Sequence, residues 1–325
     1  MTTTMKAIVQ ETYGSADVLE LRDIDQPTAG AGEVLLRVHA AGISRGDVHL
    51  MTGEPYLLRA GFGVRRPKNR VPGQDVAGTV VAIGPDVTRF GVGDEVFGIA
   101  RGSFAQYAVA REDKLAHKPP TVSFPQAAAM PVSGLTALRA LDAAGVRAGQ
   151  SVLVIGASGG VGTYAVQLAV ACGATVTGVA SAAKAQLVRD LGAADVIDYA
   201  HEDYADGTRT FDVVLDIGGV TPIARLRRAL TRTGTLAIVG GENGATWSPG
   251  MGRQLQAMLL NPFVSQRLTM VVNKEHFSGL ERLAAHAGNG TVASSMDRPF
   301  DLSSTADAVR HLVAGKARGK VVITV

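Results

Sequence analysis

The 325-residue chain contains a single cysteine, Cys172, so it cannot form a disulfide bond within itself. Such sparing use of cysteine is typical of a reducing compartment, and we expect a cytoplasmic location. Cys172 falls among apolar residues at helical spacing, which predicts that it is buried in the core. The first residues lack the apolar segment and cleavage site of a secretory signal, so no signal peptide is expected.

An excess of charge of either sign is also absent, since the formal net charge is only +3. This value is too small to argue for a nucleic-acid partner, and we expect none. One uncharged run, Val152–Ala183, is long enough to resemble a membrane-spanning helix. Glycines interrupt it from Gly156 onward and again at Gly173, so a buried unit of a parallel sheet explains it better and no membrane span is expected.

The same run predicts a strand at Ser151–Ile155, a glycine-rich turn, a helix, and a second strand at Thr175–Ala180. A dinucleotide pyrophosphate needs backbone N–H groups close by and the positive end of a helix dipole. Side chains on the turn would hold the pyrophosphate away, and the last glycine of the turn, Gly162, lets the helix lie close to the sheet. A flexible surface loop is the alternative, which this strand–turn–helix context disfavours. The residues predicted to bind the cofactor are Ser158, Gly159, Gly160, Val161 and Gly162.

The end of the second strand predicts which nicotinamide dinucleotide is bound. An NAD site has an acid there to bind both ribose hydroxyls, whereas this strand ends at Ser181 with Lys184 just beyond. A hydroxyl and an ammonium would hold a 2′-phosphate that an acid would repel, so we expect NADPH. The alternative is that Lys184 is an ordinary solvated helix residue.

Two domains are expected from the length and from a change of pattern along the chain. Short strands with close turns before residue 123 indicate a small barrel, and six strands alternating with helices then indicate a doubly wound parallel sheet. The tail is expected to rejoin the barrel. The predicted domains are therefore 1–122 with 274–325, which is discontinuous, and 123–273.

Several segments are specific when taken together, namely Arg37–Gly42, Pro72-Gly73 with Val76–Gly84, Gly91–Phe97, Gly134–Ala137, Ala157–Gly162, Leu191–Tyr199 and Gly319–Val325. Together they resemble the medium-chain dehydrogenase/reductases, specifically their zinc-independent quinone oxidoreductase (zeta-crystallin-like) branch, over essentially the whole length. The resemblance implies a GroES-like β-barrel domain plus a Rossmann domain, with cofactor and substrate between them.

No metal site is expected. The zinc branch of the superfamily holds its catalytic zinc with two cysteines and a histidine, and a four-thiolate site is impossible with one cysteine. Where that branch has its first cysteine this chain has Ser44, and where it has Gly-His-Glu this chain has Gly73-Gln74-Asp75. Serine and glutamine are not usual zinc ligands.

Without a Lewis acid, hydride transfer favours acceptors that are already electron-poor, such as quinones or α,β-unsaturated carbonyls, so an apolar electrophilic substrate is expected. The resemblance places Ser44–Tyr56 beside the nicotinamide. Ser44 matches a position that is often asparagine in the quinone reductases, and Asp47 matches a family aspartate read as fixing the loop. Tyr56 is the expected proton donor or substrate hydrogen-bonding group, and a half-buried structural tyrosine is the alternative. Ser44 and Tyr56 are therefore the candidate catalytic residues.

The resemblance implies further cofactor contacts. Thr136 would lie near the nicotinamide, Tyr199 would border the adenosine phosphate, and Lys320 matches a basic position near the cofactor. Residues at the ends of the fourth and fifth strands of the parallel sheet are also expected to contact it, because ligands gather at the carboxyl edge. These residues are Ile217, Gly218, Val239, Gly240 and Gly241.

Leu268–Val272 is predicted to be the exposed edge strand of the parallel sheet. Exposed edges invite pairing, and in the family this edge commonly joins a second copy, so a homodimer is expected. Two other functions stay open. One is an NAD(P)-dependent alcohol or aldehyde dehydrogenase, and the other is a non-catalytic NADPH-binding protein of crystallin-like or regulatory type.

Overall fold

The computed structural model describes residues 3–240, 251–271 and 275–325. Two predictions fall outside these residues, namely the cofactor contact of Gly241 and the last residue of the expected edge strand, Val272. The chain divides into two compact units, the first formed by Met1–Leu135 with Lys274–Val325 and the second by Thr136–Asn273.

Both units combine strands and helices. The strands are β1 (Thr4–Val9), β2 (Glu20–Asp25), β3 (Glu33–Ile43), β4 (Asp75–Ile83), β5 (Glu95–Ile99), β6 (Tyr107–Arg111), β7 (Leu115–His117), β8 (Ser151–Ile155), β9 (Thr175–Ala180), β10 (Asp195–Asp198), β11 (Phe211–Asp216), β12 (Leu230–Ile238), β13 (Arg267–Met270), β14 (Met296–Asp301) and β15 (Lys320–Thr324). The helices are α1 (Arg45–Thr52), α2 (Arg59–Phe62), α3 (Phe124–Ala128), α4 (Pro131–Ala144), α5 (Gly160–Ala171), α6 (Ala182–Asp190), α7 (Ile223–Leu226), α8 (Met251–Leu260), α9 (Phe277–Gly288) and α10 (Thr305–Val313).

The first unit is built on a mostly antiparallel sheet in the order β14-β15-β3-β4-β5-β7, with β6 also paired to β3 and a separate β1–β2 hairpin. Strand β15, at the end of the chain, pairs antiparallel with β3, and Val321 lies opposite Ile43. Alternating apolar residues of β3 and β4 face one buried cluster, which includes Leu36, Val38 and Val80. The GroES-like domain expected in this part of the chain is confirmed.

Residues 123–135 belong to the first unit, so the division lies after Leu135 and not after residue 122 as predicted. The reason is tertiary, because α3 packs against β3 and β4 of the first unit. In the sequence the helical pattern begins at Ser123, and the change of periodicity alone therefore placed the boundary too early.

The second unit contains the predicted six-stranded parallel sheet, in the order β10-β9-β8-β11-β12-β13. The order reverses beside β8, which pairs with β9 on one side and β11 on the other. In such a sheet ligands bind beyond the carboxyl ends of the strands at this reversal. The prediction of a doubly wound Rossmann sheet is confirmed.

Cys172 is exposed, so the prediction that it is a core residue was wrong. It is the C-cap of α5, one residue beyond the last helical turn, where its N–H still reaches Leu168 O. The helical spacing of apolar residues predicts a buried face that includes Cys172. The helix ends there, however, and the chain turns away from that face.

Candidate functional site

A cleft of about 630 Å³ lies within the second unit beyond the carboxyl ends of its strands. Four strands contribute to it through their last residues or the loops that follow them. The lining residues comprise Ile155, Gly156, Ser158, Val179, Ala180, Tyr199, Ala200, His201, Glu202, Asp203, Tyr204, Gly218, Val220 and Arg225. Of the predicted cofactor-binding residues, the cleft brings together Ser158, Tyr199 and Gly218.

The N-terminus of α5 opens at the end of β8, after a four-residue turn. Gly159 is the N-cap, and it supplies no side chain to bind the first N–H groups of the helix. These groups belong to Gly160, Val161 and Gly162, where the helix dipole is also positive. A Cβ added at Gly159 would meet only Gly156 O, at 3.4 Å, so the protein itself leaves room beside these amides.

Gly162 has a different physical reason for lacking a side chain. A Cβ at this position would come within 2.1 Å of Gly156 O and 2.8 Å of Ala157. The close approach of α5 to the end of β8 therefore requires glycine at 162, whereas Gly159 borders open space. The open space beside Gly159 suits a pyrophosphate, because backbone amides bind it without interference from side chains.

The residues predicted to hold a 2′-phosphate lie at neighbouring strand ends. Ser181 is the N-cap of α6, and its hydroxyl makes no capping bond within that helix. Lys184 lies in the first turn, with its N–H donating to Ser181 O. Tyr199 follows β10 and is 60% exposed on the cleft wall.

Sequence reasoning missed a carboxylate in this region. Asp198 pairs with Ala180 in the β9–β10 register, which brings it beside Ser181. Its Oδ2 lies 2.7 Å from His201 Nδ1, and the bonds from His201 and from backbone N–H groups lower the pKa of Asp198. The sequence has no acid between the end of β9 and Asp190, but parallel pairing also aligns the end of β10 with the end of β9.

An ion pair lies on the same cleft wall. Arg225 Nη2 donates to both carboxylate oxygens of Asp203 at 2.6 Å, and Glu202 is a neighbouring acid. No motif in the sequence indicated these residues, because they lie in the long connection between β10 and β11 and on α7. They make this wall polar and of mixed charge.

The remaining predicted contacts in this unit follow β11 and β12. The N–H groups of Ile217 and Gly218 both donate to Ile155 O, and those of Val239 and Gly240 both donate to Asp216 O. The loops after β8, β11 and β12 are thereby held together at one edge of the sheet. Thr136 lies on α4, half-buried, at the first position of this unit.

In the first unit a separate cavity of about 380 Å³ borders α1 and the β4–β5 region. Its walls include Asp47, Leu50, Gln74, Lys114 and Glu275. Lys114 Nζ lies 2.8 Å from Glu275 Oε2, so these two charges are paired.

Asp47 is a buried carboxyl whose position Ser44 determines. The two residues form a capping box at the start of α1, in which Asp47 Oδ2 accepts from the Ser44 N–H and from the Ser44 hydroxyl, each at 2.7 Å. The pKa of Asp47 is raised to about 6, mainly by burial and also by the nearby Asp75, while Ser44 and Lys320 oppose the shift.

Lys320 lies beside Asp75 in the interior of the first unit. Its Nζ is 2.6 Å from Asp75 Oδ2 and 3.2 Å from Ser133 Oγ, and the lysine side chain is 2% exposed. Asp75 Oδ1 accepts from the Val132 N–H at 2.8 Å, and burial raises the pKa of Asp75 against the effect of the ammonium. The structure thus gives Lys320 an internal partner, and its predicted contact with the cofactor stays a prediction.

Tyr56 is 38% exposed in a short 3₁₀ turn before α2. The Arg59 guanidinium lies 4.5 Å from the centre of its ring and equally close to that of Tyr13. Tyr56 is outside the set of residues that line the 380 Å³ cavity, so its proton-donating role stays a prediction.

Among the residues that the structure describes, no three His, Cys, Asp or Glu side chains come close enough to hold a metal ion. A catalytic zinc site uses three protein ligands. At the place of the zinc branch's Gly-His-Glu, Asp75 binds the Lys320 ammonium. The donor atoms of the described residues therefore do not fit such a site. None of the described helices has the length and apolar character that crossing a bilayer would need.

A Rossmann sheet with open amides at the start of its first helix, in a chain that also has a GroES-like domain, is typical of a dinucleotide-dependent oxidoreductase. Comparison with known proteins agrees. The family model "Alcohol dehydrogenase GroES-like domain" matches residues 30–120, and "Zinc-binding dehydrogenase" matches residues 191–323. A tomato (Solanum lycopersicum) 2-methylene-furan-3-one reductase is 33% identical over 98% of this chain and 79% of its own length. The chloroplastic quinone-oxidoreductase QR1 of Triphysaria versicolor is 31% identical over 98% of both chains.

Two solved structures extend the similarity to the fold. The quinone oxidoreductase of Coxiella burnetii superposes with a TM-score of 0.85 at 29% identity, over 99% of this chain and all of that one. A mycobacterial protein solved in complex with NADPH has a TM-score of 0.84 at 28% identity, with the same coverage.

The chain belongs to the medium-chain dehydrogenase/reductase superfamily, in its quinone oxidoreductase branch, and is an oxidoreductase. Members of the family bind a nicotinamide dinucleotide. The family and the class of enzyme predicted from the sequence are confirmed.

Proposed function

We propose that this protein is an NADPH-dependent reductase of quinones or α,β-unsaturated carbonyls that works without a metal ion. The observation that carries the proposal is the open space beside the amides of α5, which Gly159 leaves free while Gly162 serves packing. A reduced nicotinamide dinucleotide bound there would supply hydride, and the residues that would hold it are Ser158 to Gly162 with Tyr199 and Gly218. Thr136, Ile217, Val239 and Gly240 are further proposed contacts.

The choice of acceptor rests on chemistry and on relatives. Carbonyl compounds that are conjugated with a second double bond accept hydride without a Lewis acid, and the described residues offer no ligand set for one. The relatives include proteins named quinone oxidoreductase and NADPH-dependent alkenal/one oxidoreductase. We therefore propose the same two substrate classes for this chain.

Steady-state oxidation of NADPH tests this function directly. We expect turnover with 1,2-naphthoquinone and with an α,β-unsaturated ketone, and little with a saturated aldehyde. Faster turnover with the aldehyde or its alcohol would favour an alcohol or aldehyde dehydrogenase. Binding of NADPH without turnover of any acceptor would favour a non-catalytic binding protein. Treatment with a chelator should leave the rate unchanged, and loss of the rate would contradict the metal-free proposal.

The preference for NADPH is proposed to come from Ser181 and Lys184, which would bind the 2′-phosphate. Lys184→Ala combined with Ser181→Ala should raise the KM for NADPH much more than that for NADH. Arg189→Ala, on the last turn of the same helix, is the matched control for the loss of a positive charge from α6. Equal changes in both KM values would remove these residues from the phosphate site.

We further propose that the protein is a cytoplasmic homodimer joined through β13. This strand is the last in the sheet of the described residues and pairs there with β12. An unpaired strand edge invites pairing with a second copy. Light scattering that gave the mass of one chain over a wide concentration range would refute the dimer.

A further inference from the structure

Three apolar side chains of the first unit are exposed within one short stretch of the chain. Val64 is 72% exposed, Leu57 is 55% exposed and Phe62 is 51% exposed. Single exposed apolar residues are ordinary on a protein surface, whereas an exposed apolar patch indicates contact with a partner. The stretch is therefore a candidate interaction surface.

A closed loop at residues 62–68 carries two of these side chains, and the rest of the unit holds it in place. The Lys68 N–H donates to Phe62 O at 2.8 Å and joins the two ends of the loop. Gly63 has a φ of +122°, a conformation that favours glycine, and its carbonyl accepts from the Tyr13 hydroxyl at 2.6 Å. The exposure of the apolar side chains thus comes from a defined loop conformation.

The segment that includes this loop is strongly basic. Residues 53–71 contain five lysine or arginine residues and one acid, Glu54. Arg59 Nε donates to a backbone carbonyl at 2.9 Å, and Arg70 forms an ion pair with Glu11. These two basic residues make contacts within the unit, and the other three belong to the loop.

The basic residues of the loop are Arg65, Arg66 and Lys68, and all three are exposed. Lys68 Nζ donates to Gly61 O at 3.0 Å, which is a neutral acceptor and leaves the charge of the ammonium uncompensated. Among the described residues, no carboxylate pairs with Arg65 or Arg66. The loop therefore presents three positive charges together with two apolar side chains.

This combination of charge and apolar surface determines which partner fits. A nucleic acid or an acidic peptide would complement the positive charges and leave the apolar side chains in water. A bilayer with anionic headgroups complements both, because apolar side chains enter the boundary between headgroups and acyl chains while basic side chains bind the phosphates.

We propose that the 62–68 loop docks the protein on an anionic lipid surface. Phe62 and Val64 enter the headgroup region, and the three basic residues of the loop bind the lipid phosphates. Phe62 and Pro67 also line the 380 Å³ cavity of the first unit, so docking brings this cavity next to a bilayer, where apolar molecules such as quinones partition. The inference goes beyond the proposed function and does not depend on it, because docking needs neither cofactor nor turnover.

Co-sedimentation of the full chain with lipid vesicles tests the docking. We expect binding to vesicles of phosphatidylcholine and phosphatidylglycerol in equal parts, and none to vesicles of phosphatidylcholine alone. Concentrated salt should weaken the binding, because it screens the charges. Equal binding to both kinds of vesicle, or binding to neither, would overturn the inference.

Replacement of the two arginines tests whether the loop makes the contact. Arg65→Ala combined with Arg66→Ala should weaken the partition coefficient roughly 30-fold, since each basic residue near an anionic surface contributes about fivefold. Arg228→Ala combined with Arg232→Ala is the matched control, because it removes two exposed arginines from the second unit and should leave binding unchanged. Equal effects of the two pairs would contradict docking through the loop.

Val64→Ser tests the apolar contribution. This variant should bind the mixed vesicles roughly tenfold more weakly, because burial of a valine side chain is worth about that much. Its Tm should match that of the wild type, since the side chain is exposed in the folded protein. Undiminished binding would refute insertion of the loop, and binding of the wild type to single-stranded RNA without binding to the mixed vesicles would assign the charges to a nucleic acid instead.

A fluorescent label shows directly which surface meets the lipid. Cys172 is exposed, so it is first replaced by serine. An environment-sensitive label on Val64→Cys should shift its emission to the blue when the mixed vesicles are added, and the same label on Arg228→Cys should not. A shift at the second position alone would place the contact on another face of the protein and overturn the inference.

Discussion

Replacement of Lys320 by methionine should destabilise the first unit strongly. The Lys320 ammonium is the countercharge of Asp75, which is completely buried. Lys320 Nζ lies 2.6 Å from Asp75 Oδ2. After the substitution, Asp75 would keep one bond from Val132 N–H and would have lost its charged partner. Removal of one member of a buried pair typically costs about 3–5 kcal/mol, because the other charge remains buried.

This cost corresponds to a large shift in melting temperature. For a unit of this size each kcal/mol lowers Tm by about 2–4 °C, so Lys320→Met should lower it by roughly 10 °C. The double variant Lys320→Met with Asp75→Asn should recover most of the loss, because an amide carries no charge and can still accept from Val132. The deficit of the single variant should also shrink as pH falls, because burial raises the pKa of Asp75 and a protonated Asp75 needs no countercharge.

Differential scanning calorimetry of the wild type, both single variants and the double variant at two pH values measures these effects. A Tm for Lys320→Met within about 1–2 °C of the wild type, independent of pH, would refute the reasoning. NADPH binding, measured well below Tm, separates the two roles discussed for Lys320. An unchanged Kd would indicate a purely internal role, and a weaker Kd in a folded variant would support the predicted contact with the cofactor.

Three other outcomes are expected. Gly162→Ala should lower Tm, measured by calorimetry, because the added Cβ would come 2.1 Å from Gly156 O. Gly159→Ala should leave Tm unchanged and weaken NADPH binding about tenfold, measured by fluorescence titration. The folded pKa of Asp47, about 6, exceeds the ordinary 3.8, so Asp47 should make the wild type less stable by about 3 kcal/mol as pH rises from about 4 to 7. In urea unfolding, Asp47→Asn should remove this contribution from the pH dependence of stability, and an unchanged pH dependence would contradict the assignment. Asp198→Asn should lower the KM for NADPH relative to that for NADH, since it removes a carboxylate beside the proposed phosphate site, and equal KM changes would contradict that placement.

The strands of the second unit were predictable because their pattern is local. Ser151–Ile155 and Thr175–Ala180 have the bounds expected from the sequence. Strands that are buried on both faces form short apolar runs between glycines and polar turns. The glycine turn that follows Ser151–Ile155 was also predictable from the local sequence alone.

Several helices were not predicted, and local signals explain why. Helix α1 begins with a capping-box pattern at Ser44, but Gly46 in its first turn weakens helix propensity. Helix α7 covers only Ile223–Leu226 and is followed by a 3₁₀ turn. Helix ends depend on capping and packing, which periodicity does not resolve.

By itself, the sequence determined the family, the parallel sheet and the position of the glycine-rich turn, because the motifs behind each consist of residues close together along the chain. Only the tertiary structure showed that Lys320 binds Asp75, 245 positions away, and that Asp198 lies beside Ser181. It also showed that Asp47 is buried with one oxygen unpartnered among the described residues. Burial and electrostatics depend on which distant segments the fold brings into contact, and no local pattern contains that information.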